Sequence, residues 1–150
     1  MNGGIREDVN GLERRIEELE RALETDVLTG AYNRTYFYDK LDLNKYEDGY
    51  LYFIDLNNFK RINDEHGHIY GDQILTKFAY EIRKCLDYSD ALIRYAGDEF
   101  VIVSKKKLKL ESTMEFSQGF VRITSPWEQK ANLLAEADKK MYRNKMKNKH

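Results

Sequence analysis

The sequence predicts one mixed α/β domain behind an amphipathic N-terminal helix, and three observations carry that prediction. Apolar residues recur at heptad spacing near the start, strand-like runs occupy 50–55, 91–95 and 99–103, and helix-period stripes occupy 74–86 and 133–142. A chain of 150 residues has room for a single core, and 41% hydrophobic residues argue against disorder. The formal charge of −1 provides no global field toward nucleic acid or anionic lipid, so neither is an expected partner. The lone Cys85 excludes an intrachain disulfide, and no apolar run reaches membrane-spanning length. The expected compartment is the cytoplasm, with no direct membrane contact.

Ile5, Val9, Leu12, Ile16, Leu19 and Leu23 follow a 4-3-4-3-4 spacing. With Val9, Ile16 and Leu23 at a and Ile5, Leu12 and Leu19 at d, the seam suits a parallel two-stranded coiled coil. Arg15 then faces Glu20 of the second helix, while Asp8 faces Glu13. Three heptads are short, so a helix packed against its own domain remains open. The predicted division is a dimerisation helix at 1–25 and a globular domain at 26–150. The abrupt start at residues 1–4 leads us to expect a further upstream domain.

Residues 33–43 can form a helix with Phe37 and Leu41 inward. Tyr50–Asp55 is apolar on both faces, as a doubly covered central strand should be. Residues 57–63 read as a short helix, 63–72 as a turn-rich stretch, and Ile74–Leu86 as a helix with one buried face. Ala91–Tyr95 and Glu99–Val103 read as a hairpin turning at Ala96-Gly97-Asp98. The lysine-rich 104–112 is ambiguous, 113–124 reads as a strand around Gly119, and a helix with a basic end closes the chain.

Chemistry concentrates in Asp55, at the end of the buried strand, and in Asp98-Glu99 at the hairpin tip. Carboxylates on rigid neighbouring strands form a hard-oxygen site suited to Mg²⁺. Alone they read equally as a helix cap and a turn. His66 and His68 have no zinc-like spacing and read as capping or packing residues.

Four ordered segments resemble the motifs of GGDEF domains, the diguanylate cyclases: Asp26–Arg34, Phe53–Asp72, Arg94–Phe100 and Ala137–Lys145. The resemblance implies a palm-like nucleotide-cyclase fold, a central mostly antiparallel sheet flanked by helices. It implies condensation of two GTP into cyclic di-GMP and two pyrophosphates by a homodimer, with Mg²⁺ (or Mn²⁺) as cofactor. Carried over by position, Asp55, Asp98, Glu99 and the Leu56 backbone would hold metal, and Asp98, Glu99 and Lys60 would serve catalysis. Asn58, Phe59, Gly97, Lys145 and Lys149 would contact phosphates, and Asn63 and Asp72 would read guanine. Asp26 and Arg34 match a pair expected to tie the incoming helix to the domain.

Three departures accompany the resemblance. Ala96 replaces the first glycine of the signature, and its methyl could crowd the nucleotide. Only residues 104–112 lie outside the expected strands after Phe100, too few for the usual covering helix, so one sheet face must be polar, exposed or covered otherwise. Asp87 occupies the place of the arginine in the family's product-inhibition motif, whose aspartate is present as Asp90. The competing function is an inactive GGDEF-type module that binds GTP or cyclic di-GMP. A third reading is a coiled-coil assembly piece with an inert head.

Overall fold

A computed structural model describes residues 2–124 and 129–147. Its elements are α1 (Asn2–Glu24), α2 (Arg34–Asp39), a 3-10 turn (Leu43–Tyr46), β1 (Tyr50–Leu56), α3 (Phe59–His66), α4 (His68–Arg83), β2 (Ala91–Ala96), β3 (Glu99–Ser104), β4 (Phe116–Arg122) and α5 (Lys130–Lys147). The four strands form one antiparallel sheet in the order β2-β3-β1-β4.

The central position of β1 follows from its composition. Successive side chains point to opposite faces of a strand, so an unbroken apolar run can only be satisfied by two apolar layers. Leu51 and Phe53 enter one layer with Phe37, Val101, Leu134 and Met141. Tyr52, Ile54 and Leu56 enter the other with Leu75, Phe78, Ile82, Phe100 and Ile102. Helices α2 and α5 supply the first cover, and α4 supplies the second.

The short connection after β3 resolves the question of the missing helix. Residues 105–115 run as an irregular strap across the α4 side of the sheet, with Leu110 7% exposed in that core. The Leu108 amide donates to the Tyr52 hydroxyl at 2.7 Å. Glu81 of α4 pins the strap, accepting from the Ser112 hydroxyl at 2.8 Å and the Thr113 amide at 3.3 Å. These bonds hold the Glu81 carboxyl below its usual range, the Thr113 hydroxyl contributing most.

Several boundaries differ from expectation: α2 ends at Asp39 rather than residue 43, β4 spans Phe116–Arg122 rather than 113–124, and α4 runs from His68 to Arg83 rather than from Ile74 to Leu86. The stretch read as turn-rich over 63–72 contains a break of one residue, Gly67 at φ +87°, between α3 and α4. The first turn of α4 carries Gly71, where a Cβ would meet Asn63 Oδ1 and come within 2.9 Å of Asn63 Cγ, so a side chain there would displace the Asn63 amide. Tertiary contact therefore outweighs the low helix propensity of glycine.

Helix α1 does not pack its seam on its own domain. Ile5, Val9, Leu12, Ile16, Leu19 and Leu23 are between 46% and 69% exposed. Its C-terminal end is anchored, with Asn33 donating its side-chain amide to Leu23 O at 2.6 Å and its backbone amide to Glu24 O at 2.8 Å. Among the described residues, no helix is long and apolar enough to cross a membrane.

Candidate functional site

Register brings the acidic residues together. Asp55 is paired directly with Glu99 across β1 and β3 and with Ser117 across β1 and β4. The β2–β3 turn is Gly97-Asp98, and the Leu56 amide donates to Asp98 O at 3.3 Å. Gly97 has φ +22°, in the range that favours glycine. Ala96 ends β2 outside that range and exposed, so the methyl causes no backbone strain.

Among the described residues, carboxylates outnumber cations at this site. Lys145 on α5 reaches Asp55 Oδ2 at 2.9 Å, while Asp55 Oδ1 is buried with no partner. Burial, reinforced by the adjacent Asp55 carboxylate, pushes Asp98 up to about 7. Burial also raises Glu99, with the Asp55 and Asp138 carboxylates adding to the effect against Lys145 and Arg34. Among the described residues, no three His, Cys, Asp or Glu side chains converge tightly enough to hold a metal ion alone. An orphaned carboxylate oxygen beside two acids with raised pKa values is nevertheless a donor set that fits Mg²⁺, which takes few protein carboxylates and completes its shell with phosphates and water.

Beside the acids, the chain turns sharply into α3. Asn58 adopts the left-handed conformation at φ 60° and makes no side-chain cap. The first amides of α3, from Phe59 onward, thus lack a capping side chain and suit an anion. Asn57 is locked in place, its amide donating to Glu115 O at 3.0 Å and its Oδ1 accepting from the Ser117 hydroxyl at 2.7 Å. The strap therefore buttresses this turn. Lys60 lies exposed on the first turn of α3, and Lys149 falls outside the described residues.

In the last turn of α3, Asn63 packs against Gly71, and its Oδ1 is buried without a partner. Asp72 follows Gly71 on α4 with its side chain exposed. Helix packing thus brings an unpaired amide oxygen and a carboxylate to one end of the α3–α4 pair.

One pairing differs from expectation. Asp26 contacts Arg94 rather than Arg34, with the Arg94 guanidinium 3.2 Å from Asp26 Oδ1 and also bound to Gly97 O at 2.9 Å. Arg34 stacks on the Tyr95 ring, 4.6 Å from its centroid. Motif spacing identified both residues but could not show that the hairpin arginine intercepts the aspartate. Asp87 is likewise occupied: Lys106 lies 2.6 Å away, and it and Ser89 hold the Asp87 carboxyl well below the usual range. Gly119 has a role that spacing only hinted at, since a glycine inside a strand often marks close backbone approach. A Cβ there would meet the Met141 amide nitrogen of α5 and lie 2.5 Å from Ala137 O.

Comparison with known proteins gives the family and the fold. The family model described as "Diguanylate cyclase, GGDEF domain" matches residues 23–111. The chain is 38% identical over 120 residues to the cyclic di-GMP phosphodiesterase PdeR of Escherichia coli, covering 77% of this chain and 18% of PdeR. It is 32% identical over 128 residues to the diguanylate cyclase DgcM of the same species, covering 78% of this chain and 31% of DgcM. It therefore spans less than a third of either relative. The crystal structure of the coiled coil and GGDEF domain of DgcB from Caulobacter crescentus, in complex with c-di-GMP, superposes with a TM-score of 0.79 at 26% identity, covering 97% of this chain and 92% of that one.

Proposed function

The chain belongs to the GGDEF domain family, and from that premise we propose that it is a diguanylate cyclase, condensing two GTP into cyclic di-GMP and two pyrophosphates with Mg²⁺ (or Mn²⁺). The observation that carries this reading is the buried, unpartnered Asp55 Oδ1 in register beside Glu99 and the Asp98 turn. Asp55, Asp98, Glu99 and the Leu56 carbonyl are the groups that would hold the metal, which when bound neutralises charge on the phosphates and acidifies the attacking hydroxyl. The amides at Asn58 and Phe59 receive phosphate oxygens at the start of α3, with Gly97 leaving room beside them. Lys145 supplies an ammonium to the triphosphate, and Lys60, on the first turn of α3, adds a second positive charge; by sequence position Lys149 would be a further phosphate contact. Asn63 and Asp72 accept from the guanine N1–H and N2–H₂ edge, which adenine cannot match.

Each condensation forms a bond from a ribose 3′-oxygen to an α-phosphorus and breaks the α–β phosphoanhydride, releasing pyrophosphate. Two such events close the ring. Positioning and electrostatics do most of this work. Each domain presents one GTP, so two copies must face each other, and the solvent-facing heptad seam of α1 supplies the means. The likeness to a structure containing a coiled coil with its GGDEF domain supports that role.

Incubation with GTP and Mg²⁺ followed by product chromatography tests the reaction. Cyclic di-GMP should form, and Asp55→Ala or Asp98→Ala should abolish it; full activity in either variant removes the metal assignment. Ile16→Glu with Leu19→Glu should make specific activity rise with protein concentration. A concentration-independent rate in a monodisperse monomer would contradict the dimer. The second reading, a non-catalytic module that binds GTP or cyclic di-GMP, is favoured by the likeness to a phosphodiesterase; binding without product formation supports it.

A further inference from the structure

Lys145 is the resident counter-ion of Asp55. The two side chains are 25% and 14% exposed, so their attraction across 2.9 Å is screened far less than that of a surface pair. The position of Lys145 is set by the backbone of α5. Gly119 lets the helix settle onto β4, and the Asn144 side chain donates to Gln118 O at 2.6 Å, fixing the turn that carries the lysine. Any movement of the ammonium must come from its flexible stem.

An ammonium and a divalent cation make competing claims on one carboxylate. Asp55 Oδ1 is free to coordinate, but a cation there lies within a few ångströms of the ammonium on Oδ2 and repels it. Expelling Lys145 into water leaves its charge without a partner. A triphosphate offers one, because its oxygens accept the ammonium while also completing the shell of the cation.

We propose that Lys145 is an electrostatic latch on Asp55, released when a nucleoside triphosphate draws its ammonium away, so that divalent cation and nucleotide bind with strong positive coupling and the bare protein takes up the cation poorly. The inference rests on the reading of Asp55 as a metal ligand, and makes Lys145 a positioning residue for loading as well as a phosphate contact.

The test is titration of the full chain with Mn²⁺, following the free aqua ion by electron paramagnetic resonance, without nucleotide and with a non-hydrolysable GTP analogue, the latter read as Mn²⁺ retained with the protein beyond that bound by the analogue alone. Without nucleotide, Lys145→Met should bind Mn²⁺ at least about tenfold more tightly than the unmodified protein, while Lys145→Arg stays weak. The analogue should tighten Mn²⁺ binding by a larger factor in the unmodified protein than in Lys145→Met. Lys145→Gln repeats the readout if the methionine variant fails to fold. If Lys145→Met binds bare Mn²⁺ no more tightly than the unmodified protein, while Asp55→Asn loses Mn²⁺ in the presence of the analogue, the latch is overturned and the metal assignment stands. If Asp55→Asn keeps its Mn²⁺ with the analogue, the metal assignment fails and takes the latch with it.

Discussion

Gly119→Ala should destabilise the domain and retract Lys145 from the site, because the last helix rests directly on the backbone of β4. The added Cβ would lie 2.5 Å from Ala137 O and 2.7 Å from Lys140 C, and would also meet the Met141 amide nitrogen. All three are backbone atoms and cannot rotate aside. Restoring ordinary contact near 3.4 Å requires α5 to recede by about 1 Å. That movement is resisted by Leu133, Leu134, Ala137 and Met141, each 5% exposed or less in the core on this face. Overpacking of this kind costs about 1–3 kcal/mol. For a domain of this size, about 2–4 °C per kcal/mol places the fall in Tm at about 2–12 °C. Lys145 lies one turn beyond Met141, so the same displacement lengthens its reach to Asp55 and should lower GTP turnover. Differential scanning calorimetry beside a turnover assay reads both effects. A Tm within about 1 °C of the unmodified protein would refute the close packing of α5 on β4.

Asp26→Asn should reduce stability at neutral pH, with the difference fading in acid. Burial acts to raise the Asp26 carboxyl, but hydrogen bonds from Thr29 and the Arg94 charge outweigh it and leave it below its usual 3.8. A depressed carboxyl contributes stability above its unfolded value and loses it as pH falls through the folded one, so a pH-independent gap in Tm would contradict the role of the pair. Asp72→Ser should lower the preference for GTP over ATP at least about tenfold while leaving Mn²⁺ affinity intact; an unchanged preference removes Asp72 from base recognition. Micromolar cyclic di-GMP should leave the unmodified protein uninhibited, because Asp87 presents an acid bound to Lys106 where a guanidinium fork is needed. Strong non-competitive inhibition in a progress curve would overturn this, whereas inhibition appearing only in Asp87→Arg supports it.

The sequence by itself determined the pieces whose signal is local. The unbroken apolar run Tyr50–Asp55 could only be a covered central strand, and the 3.6-residue stripes in α4 and α5 named their own buried faces, because periodicity and burial are one fact seen along the chain and across it. The ordered motifs singled out Asp55, Asn63, Asp72, Asp98, Glu99 and Lys145 before any of them had a position in space. What fills the place of the missing helix was not legible, since an irregular strap has no period; Tyr52, Cys85 and Glu81 hold residues 105–115 through side chains distant in sequence. Nor could spacing show that Arg94 would reach Asp26, that a single glycine would separate α3 from α4, or that the Asn63 amide would pack against Gly71. The charge state of the acidic cluster was also a tertiary outcome. Antiparallel register set Asp55 against Glu99, the turn added Asp98, and only the arrival of α5 over Gly119 gave Asp55 a cation on one oxygen and left the other buried and unpaired. Local pattern reports which side chains want burial, whereas a pKa or an ion pair depends on distances between segments that only folding sets.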